Sequence, residues 1–404
     1  MKSSFVANGR KNALIYYMGF AAMPGGSEYL PLLFISELQQ RGYDITLALM
    51  NNDADLESVE KLCNVKIDMR KIKVMGIRPR QRFLRRIDAY LPFYRVRQLK
   101  KLSKHADVCI SCANMIDFGK PAHHVVILLK YFGDNSFMDF YQHKPPISGF
   151  PLLKRKIRTF LAEHFLRPLL GVRSTRKIIM DKREHIYLPS RYVADIMRTF
   201  YGPFNGTVFY PPTSFDISQI KIPRNPVRVV YLGRIHPEKR ITDIIEIVER
   251  ARELSGFSLE LFIGGCLEND SYSELLQKTA SDKSWIQLAG PVYGQKKTEF
   301  LLGGTYAVHA ERDEAFGISI TEYLKAGCIP LVPDEGGSME VVSNPELTYH
   351  TNEDAARIMT HLLSDDVFRQ EQLDHCRERA KKFSFECYMD TQHKLLDTIL
   401  KTSK

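Results

Sequence analysis

The sequence predicts an α/β protein of two doubly wound parallel-sheet domains that face each other across a cleft. Three observations predict it. The chain has 404 residues, more than one core of the usual ~100–200 residues takes. Strand-sized apolar runs alternate with segments of helical period from Ala13 onward. That alternation stops at five prolines within the 24 residues Pro203–Pro226 and restarts at Val227.

Ala13–Gly19 reads as the first strand and Pro24-Gly25-Gly26-Ser27-Glu28 as a loop. Tyr29–Arg41 carries Leu30, Leu33, Phe34 and Leu38 at helical spacing, with Gly42 as a left-handed cap. Asp44–Met50 is the second strand; Asp107–Ser111, Val125–Leu129 and Ile186–Pro189 are further buried strands, and Ser190 opens a helix to about Tyr201. Each proline in Pro203–Pro226 removes a donor and fixes φ, so this stretch reads as an extended hinge. Beyond it, strands at Val227–Leu232, Leu259–Ile263, Ile286–Leu288, Ala307–His309 and Ile329–Val332 alternate with helices at Thr242–Leu254, Lys296–Leu302 and Ile318–Ala326. Helices at Asp354–Leu363 and Val367–Phe383 follow. The expected organisation is a first domain over 1–202 with basic helical insertions and a hinge over 203–226. A second domain covers 227–382, and a last helix over 383–404 crosses back to the first domain. Ligands of open α/β sheets bind beyond the strand ends.

Composition excludes several classes. With 44% hydrophobic residues, 23 Phe and 19 Tyr the chain is globular rather than disordered. No run approaches the ~20 apolar residues of a spanning helix. Met1–Asn12 is polar and basic, which argues against a cleaved secretory signal. Seven cysteines, an odd and low count, suit a reducing compartment; Cys109 and Cys112 form one CxxC without the second pair a zinc site needs, and read as buried thiols. The expected location is cytoplasmic, or peripheral on the inner face of a membrane. The net charge of +10 is uneven: Arg70–Lys104 holds thirteen Lys/Arg against Asp88, and Lys154–Lys177 holds eight against Glu163. These segments carry +12 and +7, which leaves the rest near −9. The asymmetry points to an anionic partner. Arg78–Tyr94 and Pro151–Leu170 interleave these charges with mostly aliphatic residues, which suits an anionic bilayer better than nucleic acid; a basic surface on packed helices is the alternative.

Two segments carry chemistry. In Glu314-Ala315-Phe316-Gly317-Ile318-Ser319-Ile320-Thr321-Glu322, Gly317 marks a loop-to-helix junction. If the whole span were helical the two acids would lie ~12 Å apart. That suits two grips on one long ligand better than a hydrolase's carboxylate pair. The helix start between them offers N–H groups to an anion. A ligand with hydroxyls at both ends and phosphates between matches; an ordinary amphipathic helix with an acidic first turn is the alternative. In Gly233-Arg234-Ile235-His236-Pro237-Glu238-Lys239, directly after a strand, Arg234 and Lys239 can reach one diphosphate; a solvated loop is the alternative. Asp53-Ala54-Asp55 reads as helix capping rather than a metal triplet.

Together the two segments, in this order and about 80 residues apart, resemble the retaining glycosyltransferases of family 4, whose fold is the two-domain, Rossmann-like GT-B architecture. Gly25-Gly26-Ser27-Glu28, Leu188-Pro189-Ser190-Arg191-Tyr192, Tyr210-Pro211-Pro212, Gly336-Gly337-Ser338-Met339-Glu340 and Phe383-Ser384-Phe385 extend the resemblance over most of the chain. It implies a transfer from a nucleotide-diphosphate sugar to a glycan, lipid-linked or other acceptor, with no metal or other cofactor. By resemblance, Arg234 and Lys239 hold the donor diphosphate, Glu322 accepts from the ribose hydroxyls and Glu314 faces the transferred sugar. Backbone N–H groups of Phe316, Gly317 and Ile318 contact sugar or phosphate, Gly25 and Gly26 let the backbone approach the diphosphate, and Gly290-Pro291-Val292 lies by the base. The family often has a His after the strand matching Val125–Leu129; here Lys130 takes that acceptor-side place, and His123 and His124 precede the strand. The rival expectation is a GT-B-fold protein with weak or lost turnover that binds anionic lipid or polyanion through its basic first domain.

Overall fold

A computed structural model describes residues 11–20, 26–50, 55–79, 81–90, 92–127, 134–142, 157, 159–213 and 222–402. The chain divides into two compact units, Met1–Pro211 with Met389–Lys404, and Pro212–Tyr388. Each holds one all-parallel sheet with helical crossovers.

In the first unit the described strands are β1 (Lys11–Tyr17), β2 (Tyr43–Leu49), β3 (Ile72–Gly76), β4 (Val108–Ser111), β5 (His123–Val125), β6 (His185–Leu188) and β7 (Gly206–Val208), in the order β3-β2-β1-β4-β5-β6-β7. Leu14, Ile15, Leu47, Leu49 and Ile110 are fully buried, as strands covered on both faces require. The helix Gly26–Gln40 follows β1 and buries Leu30, Leu33, Phe34 and Leu38, the stripe read from the sequence. Gly42, at φ +82°, follows the helix. Asp55 caps the helix Leu56–Cys63 by accepting from Ser58 N at 3.1 Å, and Ser190 caps Arg191–Tyr201 by accepting from Val193 N. The thiols of Cys109 and Cys112 are buried, and desolvation pushes Cys109 up to about 12.

Three placements differ from the sequence reading. The fifth strand is His123–Val125, which starts two residues before the expected Val125–Leu129, whose last two residues lie outside the described residues; His123 and His124 are ladder residues, paired with His185 and Ile186 on β6. Inside the sheet layer His124 Nε2 lies 3.0 Å from Glu184 Oε2 while its Nδ1 has no hydrogen bond among the described residues, and His123 stacks on His185 at 4.8 Å. β3 lies inside the basic run, and β7 lies inside the stretch read as hinge, held on the sheet edge by β6. The final helix, Phe385–Thr402, contributes its residues from Met389 onward to the first unit, where Arg41 and His393 both pair with Glu37 and Arg41 also reaches Asp397.

In the second unit the strands are β8 (Arg228–Leu232), β9 (Glu260–Gly264), β10 (Ile286–Gly290), β11 (Tyr306–Val308), β12 (Ile329–Pro333) and β13 (Thr348–Tyr349), ordered β10-β9-β8-β11-β12-β13. The strand order reverses between β8 and β11, which are neighbours. Such a switch point opens a crevice at the carboxyl ends of the two strands. The segments after β8 and β11 are the two that the sequence singled out. No helix among the described residues is long and apolar enough to cross a membrane.

Candidate active site

The end of β8 is fixed by close backbone packing. Gly233 N donates to Gly264 O at 3.0 Å, and a Cβ on Gly265 would lie 2.2 Å from Gly233 O. Tyr231 Oη donates to Arg234 O at 3.0 Å. Tyr323, buried on the helix Ile318–Ala326, receives Leu232 N on its hydroxyl at 2.7 Å and so ties that helix to β8. Arg234 is exposed and makes no ion pair among the described residues. A single 3₁₀ turn, Pro237–Lys239, then turns Lys239 inward.

Lys239 Nζ donates to Glu314 Oε2 at 2.8 Å and also to Glu311. The two acids come from the loop after β11. Burial disfavours the Lys239 charge, but Glu314 and Glu311 outweigh it and hold the ammonium above its ordinary value. Burial also opposes the Glu314 charge; Lys239 and His309 outweigh it and keep this carboxyl below the usual range. Glu311 shifts the other way, pushed up to about 8 by burial and then by the Glu314 charge. His309 is buried, its Nε2 is 3.5 Å from Glu314 Oε2, and neither ring nitrogen has a hydrogen bond among the described residues. Burial pushes its imidazole down to about 4, so it is neutral near pH 7. The ligating atoms of His309, Glu311 and Glu314 lie within 4.8 Å of one another, a set a divalent cation would fit; the Lys239 ammonium already sits on both carboxylates.

The acidic loop rests on a glycine turn. Gly337 N donates to Glu314 O at 2.7 Å. A Cβ on Gly336 would lie 2.4 Å from Arg312 O, and one on Gly337 2.3 Å from Ala315 O. The Gly336-Gly337 pair is therefore a backbone seat for the loop that carries Glu311 and Glu314. Gly317, at φ +93°, precedes the helix, whose first amides have no partner within it. The span Glu314–Glu322 is thus a loop followed by a helix rather than one helix, and the 12 Å spacing does not apply. The Phe316 ring is buried and meets Phe383 edge-on at 5.8 Å. Ile318 is the first helical residue. Glu322 is buried on the next turn and accepts from Lys297 Nζ at 2.8 Å, on the helix Gly294–Leu302.

The structure therefore joins Lys239 to Glu314 and puts Arg234 on the same strand-end loop, with Glu322 on the helix that leaves the site. Gly26 begins the helix after β1 in the other unit. Gly25 and Lys130 lie outside the described residues. Glu311, His309 and Lys297 were not legible in the sequence. The only signal was the spacing His309-x-Glu311-x-x-Glu314 after a strand.

Residues 213–383 match the family model described as glycosyl transferases group 1. A curated relative from Caenorhabditis elegans, "GDP-Man:Man(3)GlcNAc(2)-PP-Dol alpha-1,2-mannosyltransferase", is 26% identical over 130 residues, 30% of this chain and 28% of that protein. The "Phosphatidylinositol N-acetylglucosaminyltransferase GPI3 subunit" of Saccharomyces cerevisiae is 23% identical over 169 residues, 41% of this chain and 37% of that protein. The chain thus matches 28% and 37% of the length of these relatives. Among solved structures, WaaG, a glycosyltransferase involved in lipopolysaccharide biosynthesis, superposes with TM-score 0.65 at 12% identity over 95% of this chain and 99% of its own. Anabaena Alr3699/HepE in complex with UDP and glucose gives 0.64 at 12% identity over 96% and 99%. The two parallel Rossmann-like sheets are those of the GT-B glycosyltransferases.

Proposed function

We propose that this protein is a retaining, metal-independent glycosyltransferase of family 4 that moves a hexosyl or N-acetylhexosaminyl group from a nucleotide-diphosphate sugar to a glycan or lipid-linked acceptor. The observation that carries the reading is the Lys239–Glu314 pair at the β8/β11 switch point, followed by a buried Glu322 one helix on. In this reading Arg234 and Lys239 offset the charge that grows on the leaving diphosphate. Glu322 takes the ribose hydroxyls, and Glu314 faces the transferred sugar. The amides of Phe316, Gly317 and Ile318 meet sugar or phosphate. No protein nucleophile is assigned; attack on the same face needs no covalent intermediate. The name of the Caenorhabditis elegans relative supports a nucleotide-sugar donor, and one neighbour holds UDP and glucose.

The test is a thermal-shift series with UDP, GDP and ADP, then a nucleotide-sugar panel with product mass spectrometry and EDTA controls. A nucleotide shift and an EDTA-resistant glycosylated product are expected. Glu322→Gln is expected to weaken nucleotide and sugar nucleotide alike, and Glu314→Gln to lower turnover while free nucleotide still binds. No shift with any nucleotide sinks the reading.

The first unit favours an anionic membrane as the place of work. Ile157, Phe160, Phe165 and Leu169 are exposed, Leu169 at 83%, and Phe83 is 71% exposed between the exposed Arg82 and Arg86. Exposed apolar side chains, one of them flanked by arginines, suit a bilayer interface, at ~1 kcal/mol per cation. Co-sedimentation with phosphatidylserine vesicles is expected to fall with salt and to be lost in the Arg82→Glu, Phe83→Ser, Arg86→Glu, Leu169→Ser variant. Vesicle binding without any nucleotide response favours the rival, a lipid-binding protein without turnover.

A further inference from the structure

We infer that Lys297 is a positioning residue for the donor: it clamps one oxygen of the Glu322 carboxylate, fixes that carboxylate for the ribose, and so sets how strongly the site prefers ribonucleotides to their deoxy counterparts. This rests on the reading of Glu322 as the ribose acceptor and adds a residue outside the Glu-x-Phe-Gly-x-x-x-x-Glu pattern. Lys297 Nζ donates to Glu322 Oε1 at 2.8 Å, and among the described residues this is the one ion pair of Glu322. The two side chains are 18% and 7% exposed, so the pair is largely sheltered from water.

Two elements bring the pair together. Glu322 lies on the helix Ile318–Ala326. Lys297 lies near the start of Gly294–Leu302, a helix anchored by the buried Thr298, Leu301 and Leu302. The connection that feeds this helix is Gly290-Pro291-Val292-Tyr293, the segment expected beside the base. Its start is held by Gly265 N, which donates to Gly290 O at 2.9 Å. The ion pair thus ties the base-side segment to the ribose acid. A sheltered carboxylate without a partner is costly and gives way by turning to water. An ammonium on Oε1 removes that escape and holds the carboxylate in one orientation. A carboxylate has about four lone-pair positions, and Lys297 takes one, which leaves acceptor capacity for hydroxyl donors. With the acceptor already ordered, binding a ribose hydroxyl costs less side-chain entropy. A nucleotide that lacks the hydroxyl leaves the clamped acid short of a donor, and a site built this way rejects it.

The experiment is isothermal titration calorimetry on the full chain with UDP, GDP and ADP and, for the one that binds most tightly, its 2′-deoxy and 3′-deoxy forms. The wild type is expected to bind the ribonucleotide about ten-fold or more tighter than at least one deoxy form. Lys297→Met, similar in length and without charge, is expected to narrow that ratio about three-fold or more. Lys297→Gln, a second variant that keeps a polar end, is expected to do the same. In the Glu322→Gln background Lys297→Met is expected to narrow the ratio no further, and a further loss there overturns the inference. A ratio unchanged in both Lys297 variants, with every form weakened alike or not at all, also overturns it; the ribose reading then stands if Glu322→Gln still narrows the ratio. A wild-type ratio near one, or no binding by any nucleotide, overturns both.

Discussion

Lys239 serves two carboxylates and Arg234 serves none among the described residues, and the two cations should therefore fail differently. Arg234→Ala removes an exposed charge and is expected to weaken nucleotide-diphosphate binding by ~1.5–3 kcal/mol with little change in melting temperature. Lys239→Met weakens the same binding and also strands two half-buried acids, so it is expected to lower stability measurably as well. Calorimetry with diphosphate and bare nucleoside, beside thermal melts, checks both; equal loss for the two ligands counts against the diphosphate grip. Residues of this kind differ in how legible they were. Arg234, Lys239, Glu314 and Glu322 stand at fixed intervals after strands, so spacing singled them out as candidates and the family resemblance supplied their expected roles. Glu311 and Lys297 gain meaning only through partners far along the chain, Lys239 at a separation of 72 residues and Glu322 at 25. No local pattern encodes such a pairing.

Elements were legible where one face is apolar and a glycine or cap marks the end, as in Gly26–Gln40 and Ile318–Ala326. They were missed where the signal is short or borrowed from a neighbour. β7 is three residues long and exists because β6 offers an edge. β5 was set too late because histidines look polar, whereas His123 and His124 are buried in the ladder. That placement has a pH consequence. Burial, then the neighbouring His185, pushes His123 down to about 3, below the ordinary 6.5, so the unfolded chain binds its proton first. The stability this neutral ring supports is complete above about 6.5 and falls as pH drops toward 3, by about 2 kcal/mol at pH 5. His123→Gln is expected to flatten that acid limb in urea titrations at pH 7 and 5; an unchanged slope speaks against it. The glycine seat makes a second prediction. Gly337→Ala drives a Cβ into the backbone of Ala315 and is expected to shift the loop bearing Glu311 and Glu314, costing turnover ten-fold or more. Gly256→Ala has a strained φ of +72° but open space, and should lower only the melting temperature. Equal activities in the two variants exclude the seat as a positioning device.

At the scale of the molecule, the uneven charge and the break in alternation were legible, because both are sums over long stretches. The packing of the final helix was legible only through resemblance, since its apolar stripe does not say which core it completes. Leu396 and Ile399 are fully buried and His393 pairs with Glu37, all within the first unit. Truncation before Met389 is expected to lower the first unit's melting temperature and open it to limited proteolysis, while the second unit keeps its nucleotide response; loss of both transitions together contradicts this. The first unit is thus one body written in two separated passages, with the second unit wholly between them. Synthesis runs in one direction, so the acidic second unit is complete while the basic first unit still lacks its closing piece. A chain interrupted anywhere before that piece carries an unfinished core and becomes a substrate for proteolysis. The order of the text thereby gives the cell a reading of whether the molecule was made to the end of its second passage.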